Sequence, residues 1–149
     1  MEALGRLVNV IPVAAGKPFK MRGASGVMVV VTGTNAVVTV KEDSSFGGAF
    51  ATTLAAIKNI YWTTASDGTA AWNKLSLGAS PVGTYTHGSA GPPSLLTATV
   101  TAFHVFTSEL SDPNDYLSIT VTGTTPTCTV IPYDLVHQRG PANLEILGS

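Results

Sequence analysis

The residues best suited to chemistry in this chain are three histidines, His87, His104 and His137, because imidazole can ligate a metal or carry a proton near neutral pH. None stands at zinc spacing from a second ligand, and the chain contains neither HExxH nor CxxC. Gly16-Lys17 imitates the end of a phosphate loop. Ile11 occupies the place of the upstream glycine, however, and Pro18 the place of the required Ser or Thr. Asp112 and Asp115 flank Pro113-Asn114, a pattern that serves calcium in some loops but more often caps the backbone of a turn. Glu42, Asp43 and Asp67 form no carboxylate pair whose spacing implies glycoside hydrolysis. There is no GxSxG and no Cys/His arrangement for a nucleophile. The expectation is a protein without enzymatic activity, catalytic residues, metal or other cofactor.

Two other residue types carry alternatives. Tyr61, Trp62 and Trp72 have the flat faces of a sugar-stacking platform, but aromatic residues more commonly fill a core. Cys128 is the single cysteine, so no intrachain disulfide forms; its apolar, β-branched surroundings predict a small buried hydrophobe.

The elements that would position these residues read as strands. Val27, Met28, Val29, Val30 and Val31 form an apolar run that suits a strand covered on both faces. Thr32-Gly33-Thr34-Asn35 has turn composition, and residues 36–42 resume as a strand, so the pair predicts a hairpin. A strand begins near Ile57, after a loop holding Gly47-Gly48. Residues 66–69 form a tight turn, after which Trp72 and Leu75 return toward the core. The segment 77–95 holds Gly78, Pro81, Gly83, Gly88, Gly91, Pro92 and Pro93, and predicts an irregular loop. Residues 97–107 read as a long strand whose alternation blurs after Ala102, as a bulge or two covered faces would make it. Residues 111–115 make a turn. Leu117, Ile119 and Val121 then alternate with Ser118, Thr120 and Thr122, giving one dry and one wet face. Gly123 to Pro126 reads as a turn into a final antiparallel strand, which Pro132 places at an edge.

Many short strands without a long amphipathic helix predict an all-β fold: one antiparallel β-sandwich or small β-barrel with extended terminal arms. The expected organisation is a single domain over 1–149. It has an N-terminal arm and first strand in 1–26, a β core in 27–137 and a C-terminal arm in 138–149.

Composition narrows the partners. Charged residues make up 11% of the chain, well under the usual quarter, and the net charge is −1. No basic stripe exists to track a phosphate backbone, so nucleic acid is not an expected partner. No apolar run approaches the length of a membrane span. So little charge suits a surface partly covered by other proteins.

Three stretches support a resemblance. They are Val38-Thr39-Val40-Lys41-Glu42 before a Gly/Ala-rich stretch; residues 57–62 with Trp72 beyond; and Asp115-Tyr116-Leu117 with the ending Tyr133-Asp134-Leu135-Val136-His137-Gln138-Arg139-Gly140-Pro141-Ala142-Asn143-Leu144. Together they resemble small virion proteins of tailed bacteriophages, particularly those of actinobacterial hosts, whose chains end in a pattern like D-L-x-x-Q-R-x-P-A-N-L. The resemblance implies a decoration or cement protein on the outer face of a capsid, made in the host cytoplasm. It would bind the major capsid protein as a homo-oligomer, with a trimer favoured. Gln138, Arg139, Pro141, Asn143, Leu144, Ile146 and Leu147 would then form the interface. Gln138 and Arg139 would be orienting donors, Pro141 a stiffener and Leu144 a pocket anchor. A neck or tail component and a host-glycan module are the alternatives.

Overall fold

Val27, Val29 and Val31 point one way and Met28 and Val30 the other, and this alternation starts the longest element of the molecule. The computed structural model describes residues 11–12, 16–21, 23–88, 95 and 98–133. Its strands are β1 (Ile11–Pro12), β2 (Pro18–Lys20), β3 (Gly26–Asp43), β4 (Thr52–Thr53), β5 (Asn59–Thr63), β6 (Asn73–Ser76), β7 (Thr84–His87), β8 (Val100–Phe106) and β9 (Tyr116–Tyr133). All pair antiparallel in one curled sheet, a half-barrel, with the order β1-β9-β3-β8-β5-β6. The all-β expectation holds.

Two strands of 18 residues, β3 and β9, form the spine, paired from Gly26↔Tyr133 to Asp43↔Tyr116. This corrects the expected hairpin, because residues 27–31 and 36–42 are successive parts of β3 rather than partners. It also corrects the turn at Gly123 to Pro126, which β9 passes straight through. The turn-type residues bend the strands without reversing them. Gly33 (φ 132°), Asn35 (φ 50°), Gly123 (φ 146°) and Thr125 (φ 47°) gather where the β3–β9 register shifts. Such irregularities kink a strand and strengthen its twist, which is what curls the sheet.

On one side of the bend β3 pairs with β8, through Gly26↔Phe106 to Thr32↔Val100. On the other it pairs with β7 and β4. The concave face holds the core. Val27, Val29, Val31, Val38, Val40, Ile60, Phe103, Val105, Leu117, Ile119, Cys128 and Val130 are buried there. The dry face expected for Leu117, Ile119 and Val121 is found, but Ser118, expected on the wet face, is buried where β2 and β3 flank it. Phe19 and Met21, ahead of the expected core boundary, belong to the same cluster.

Three further expectations change. Segment 77–95 contains strand β7, whose Tyr85 and His87 turn inward while Thr84 and Thr86 turn outward. Its four residues, bracketed by Gly83 and Gly88, are too few to show a period against turn composition. Trp72 does not return to the core: it is 54% exposed, whereas Leu75 and Trp62 pack against the core. The final strand is central, with β3 along its length. Only β1 and β2 pair its other side, at residues 129–130 and 116–118, so Pro132 falls where no described strand needs its missing N–H.

Candidate functional site

The residues singled out for chemistry are scattered. His104 shares a row with Met28, whereas Asp115 precedes Tyr116 on the row of Asp43, so the two lie at opposite ends of β3. Asp112 and Asp115 belong to a turn closed by Asn114 N–H donating to the Ser111 carbonyl at 2.6 Å. Buried Glu42 anchors that turn by accepting from Ser111 N–H at 2.8 Å. Asp43 accepts from the N–H groups of Ser45 (3.0 Å) and Phe50 (3.1 Å), which hold its carboxyl below the usual range. Asp67 does the same within its turn, accepting from the Thr69 hydroxyl (2.7 Å) and N–H (3.0 Å). These carboxylates organise loops. Among the described residues no three His, Cys, Asp or Glu side chains gather as metal ligands. The proposed interface residues Gln138, Arg139, Pro141, Asn143, Leu144, Ile146 and Leu147, and also His137, lie outside the described residues.

One polar cluster is sealed in the core. The Thr101 hydroxyl lies 2.7 Å from the Tyr85 hydroxyl and 3.1 Å from His87 Nδ1, and all three residues are buried. Burial holds the His87 pKa below the ordinary histidine value, against the opposing pull of the Gly33 and Thr99 carbonyls. Among the described residues its Nε2 finds no partner at hydrogen-bond distance. Burial pushes the Tyr85 phenol upward, opposed by its hydrogen bond to Thr101. The local effect of this cluster is to cross-link β7 to β8.

The convex face offers a larger feature, and it differs on the two sides of the bend. Opposed residues in antiparallel strands share a face. Beyond the bend, therefore, Thr39, Lys41, Asp43, Thr84, Thr86 and Thr120 point outward together with the exposed Val37, a mostly polar surface. Before the bend the outward rows are Phe106-Gly26-Tyr133, His104-Met28-Ile131, Ala102-Val30-Thr129 and Val100-Thr32-Thr127. No member of these four rows is charged. Tyr61 extends the third row onto β5. His104 is stacked with Phe106 (6.3 Å between centroids, 17° between planes) and meets Tyr133 (5.7 Å) and Tyr61 (6.4 Å) edge-on. Lys74 Nζ lies 6.0 Å from the Tyr61 ring, at the margin. Phe106 is 45% exposed and Met28, Val30 and Ile131 are half-buried, whereas Val100, Ala102 and Gly26 of the same rows are buried.

The sequence signal for this patch was present in its strands. The apolar run 27–31 and the blurred alternation after Ala102 both indicate strands with two covered faces. The core covers one face only. No aromatic signature predicted the cluster, because Tyr61, His104, Phe106 and Tyr133 come from three strands far apart in sequence.

No protein-family model, curated protein or solved structure matches the chain. Among the described residues no helix is long and apolar enough to cross a membrane.

Proposed function

We propose that this chain is a structural subunit of a bacteriophage head, a decoration protein that binds the assembled shell and stabilises it by mass action. One observation supports an assembly role above the others: the outward rows before the bend gather Phe106, Met28, His104, Ile131 and Tyr133 and hold no charged residue, while those beyond it carry Lys41 and Asp43. Contiguous apolar residues at a surface often mark a contact with another protein. The C-terminal pattern Gln138-Arg139-Gly140-Pro141-Ala142-Asn143-Leu144 supports the assignment to virions. Gln138 and Arg139 would orient the segment by hydrogen bonds, and Leu144 would anchor it in a pocket of the major capsid protein.

The test is copy number in purified particles, by quantitative mass spectrometry against the major shell protein. Copies in simple ratio to the shell support decoration. About a dozen would move the protein to the neck or tail, and absence from particles would sink the virion role.

The glycan-binding alternative has one observation in its favour, the exposed indole of Trp72 just before β6. Replacing Trp72 with Ala should then abolish binding to a host-surface glycan array without changing the melting temperature. An array that the wild-type protein does not bind removes this alternative.

A further inference from the structure

We propose that strand β7 is an acid-released strap, held across the bend by His87 and let go when that imidazole takes up a proton. The inference stands apart from the assembly role above, and neither depends on the other.

β7 ties the two halves of the sheet together through its side chains. Its backbone pairs with β3 beyond the bend, from Ala36↔His87 to Thr39↔Thr84. Its inward side chains reach back over the bend to β8. Tyr85 and His87 bond to Thr101, and the Tyr85 ring meets Phe103 edge-on at 5.7 Å. Thr101 and Phe103 stand opposite Val31 and Val29, before the bend. Otherwise β7 is lightly held. It has four residues and pairs with β3 alone among the described strands. Outward, the Thr84 hydroxyl donates to that of Thr39 at 3.2 Å, a bond open to water and so of little net value.

The placement of protons decides how the strap responds. The buried Tyr85 hydroxyl has Thr101 as its partner, so Tyr85 donates and Thr101 Oγ accepts. Thr101 then gives its one proton to His87 Nδ1, which is an acceptor in the neutral ring. A proton added at Nδ1 turns that acceptor into a donor and leaves the Thr101 O–H with nothing to meet. It also encloses a cation, which burial disfavours strongly unless a counter-charge is at hand. None is. The inward side chains nearby are Ala36 and Val38 on β3, Thr101 and Phe103 on β8, and Val121 and Cys128 on β9. The ionisable groups among these and on β7 itself are Cys128 and Tyr85, and burial keeps both neutral by pushing their pKa values up. Glu42, the inward carboxylate of β3, lies about 20 Å along the strand from Ala36 and is engaged by Ser111 N–H. Residues 88–99, which lead from β7 to β8, include no ionisable side chain. The Gly33 and Thr99 carbonyls favour the proton, but burial outweighs them. Release of β7 unpairs the β3 edge at residues 36–39, a row of backbone donors and acceptors to which another strand can add.

Hydrogen exchange on the full chain tests this, followed by NMR from about pH 7.5 to 5 and corrected for the intrinsic rate. Protection of the Thr84–His87 amides should fall by at least about tenfold relative to that of Val27–Val31 in the spine. The midpoint should coincide with the titration of the His87 ring, read from its own signals. His87→Gln, which takes up no proton, should hold the ratio within about twofold. Thr101→Val should loosen β7 already at the higher pH. A constant ratio in the wild type, a loss shared equally by the spine, or the same loss in His87→Gln would overturn the proposal. If His87→Gln does not fold, the wild type decides alone: a His87 ring that titrates without β7 exchanging faster also overturns it.

Discussion

At the scale of single residues, Thr101 carries the most consequence for its size. One hydroxyl serves both Tyr85 and His87 in a site closed to water. Thr101→Val keeps the shape and strands two buried polar partners, so it should cost about 1–3 kcal/mol. Tyr85→Phe, which removes one of those partners, should cost less. Chemical denaturation of both variants checks the order, and a milder loss in Thr101→Val than in Tyr85→Phe would contradict it. His87 adds a dependence on pH. Burial depresses its folded-state pKa below the ordinary 6.5, and burial depresses that of His104 as well. The unfolded chain therefore takes up protons first as pH falls. The stability contribution is complete above about 6.5 and drains away below it, until the folded-state pKa is passed. Melting curves at about pH 7.5 and 5 should show a smaller acid-induced loss in His87→Gln than in the wild type. Equal losses would mean that His87 takes no part.

At the scale of elements, the bend in the two long strands decides the architecture. In β3 the inward residues are odd-numbered up to Val31 and even-numbered from Ala36. In β9 they are odd up to Val121 and even from Cys128. Each strand changes parity where its register slips, and a period-two pattern that changes phase reads as two strands with a turn between them. That is why the sequence indicated the residues of the spine but not its continuity. The simple alternation of Leu117, Ile119 and Val121 was legible because it lies wholly on one side of the bend. Gly33, Asn35 and Gly123 were legible as unusual backbone positions, but composition cannot distinguish a kink from a reversal. The convex patch was half legible, since its strands announced two covered faces while its assembly from β3, β8, β9 and β5 needed the register. The bend itself can be tested at Gly123. A Cβ there would stand 2.8 Å from the Asn35 carbonyl oxygen at a φ of 146°. Gly123→Ala should therefore destabilise the fold by about 1–3 kcal/mol. Thr122→Ala, one position away and exposed, should fall within about 0.5 kcal/mol of wild type. Equal melting temperatures for the two variants would deny the bend its role.

At the scale of the whole molecule, stability is concentrated in the pairing of two strands about ninety residues apart in sequence, with shorter strands added around them. Short edges limit uncontrolled strand addition. β6, at one end of the sheet, has four residues and carries Lys74, a common device against edge-to-edge aggregation. Cys128 sits opposite Val31 on the concave side of this central pair, and burial pushes its thiol pKa up to about 11. A thiol so protonated and enclosed reacts with alkylating agents only when the spine comes apart. Alkylation of the native protein should then proceed at the rate or equilibrium of global opening, and should accelerate in Gly123→Ala. Labelling as fast as that of a free thiol would show that the spine opens locally. With no competing cysteine in the chain, the molecule carries its own chemical clock: one sulfur atom whose modification, read by intact mass, times how often the half-barrel uncurls.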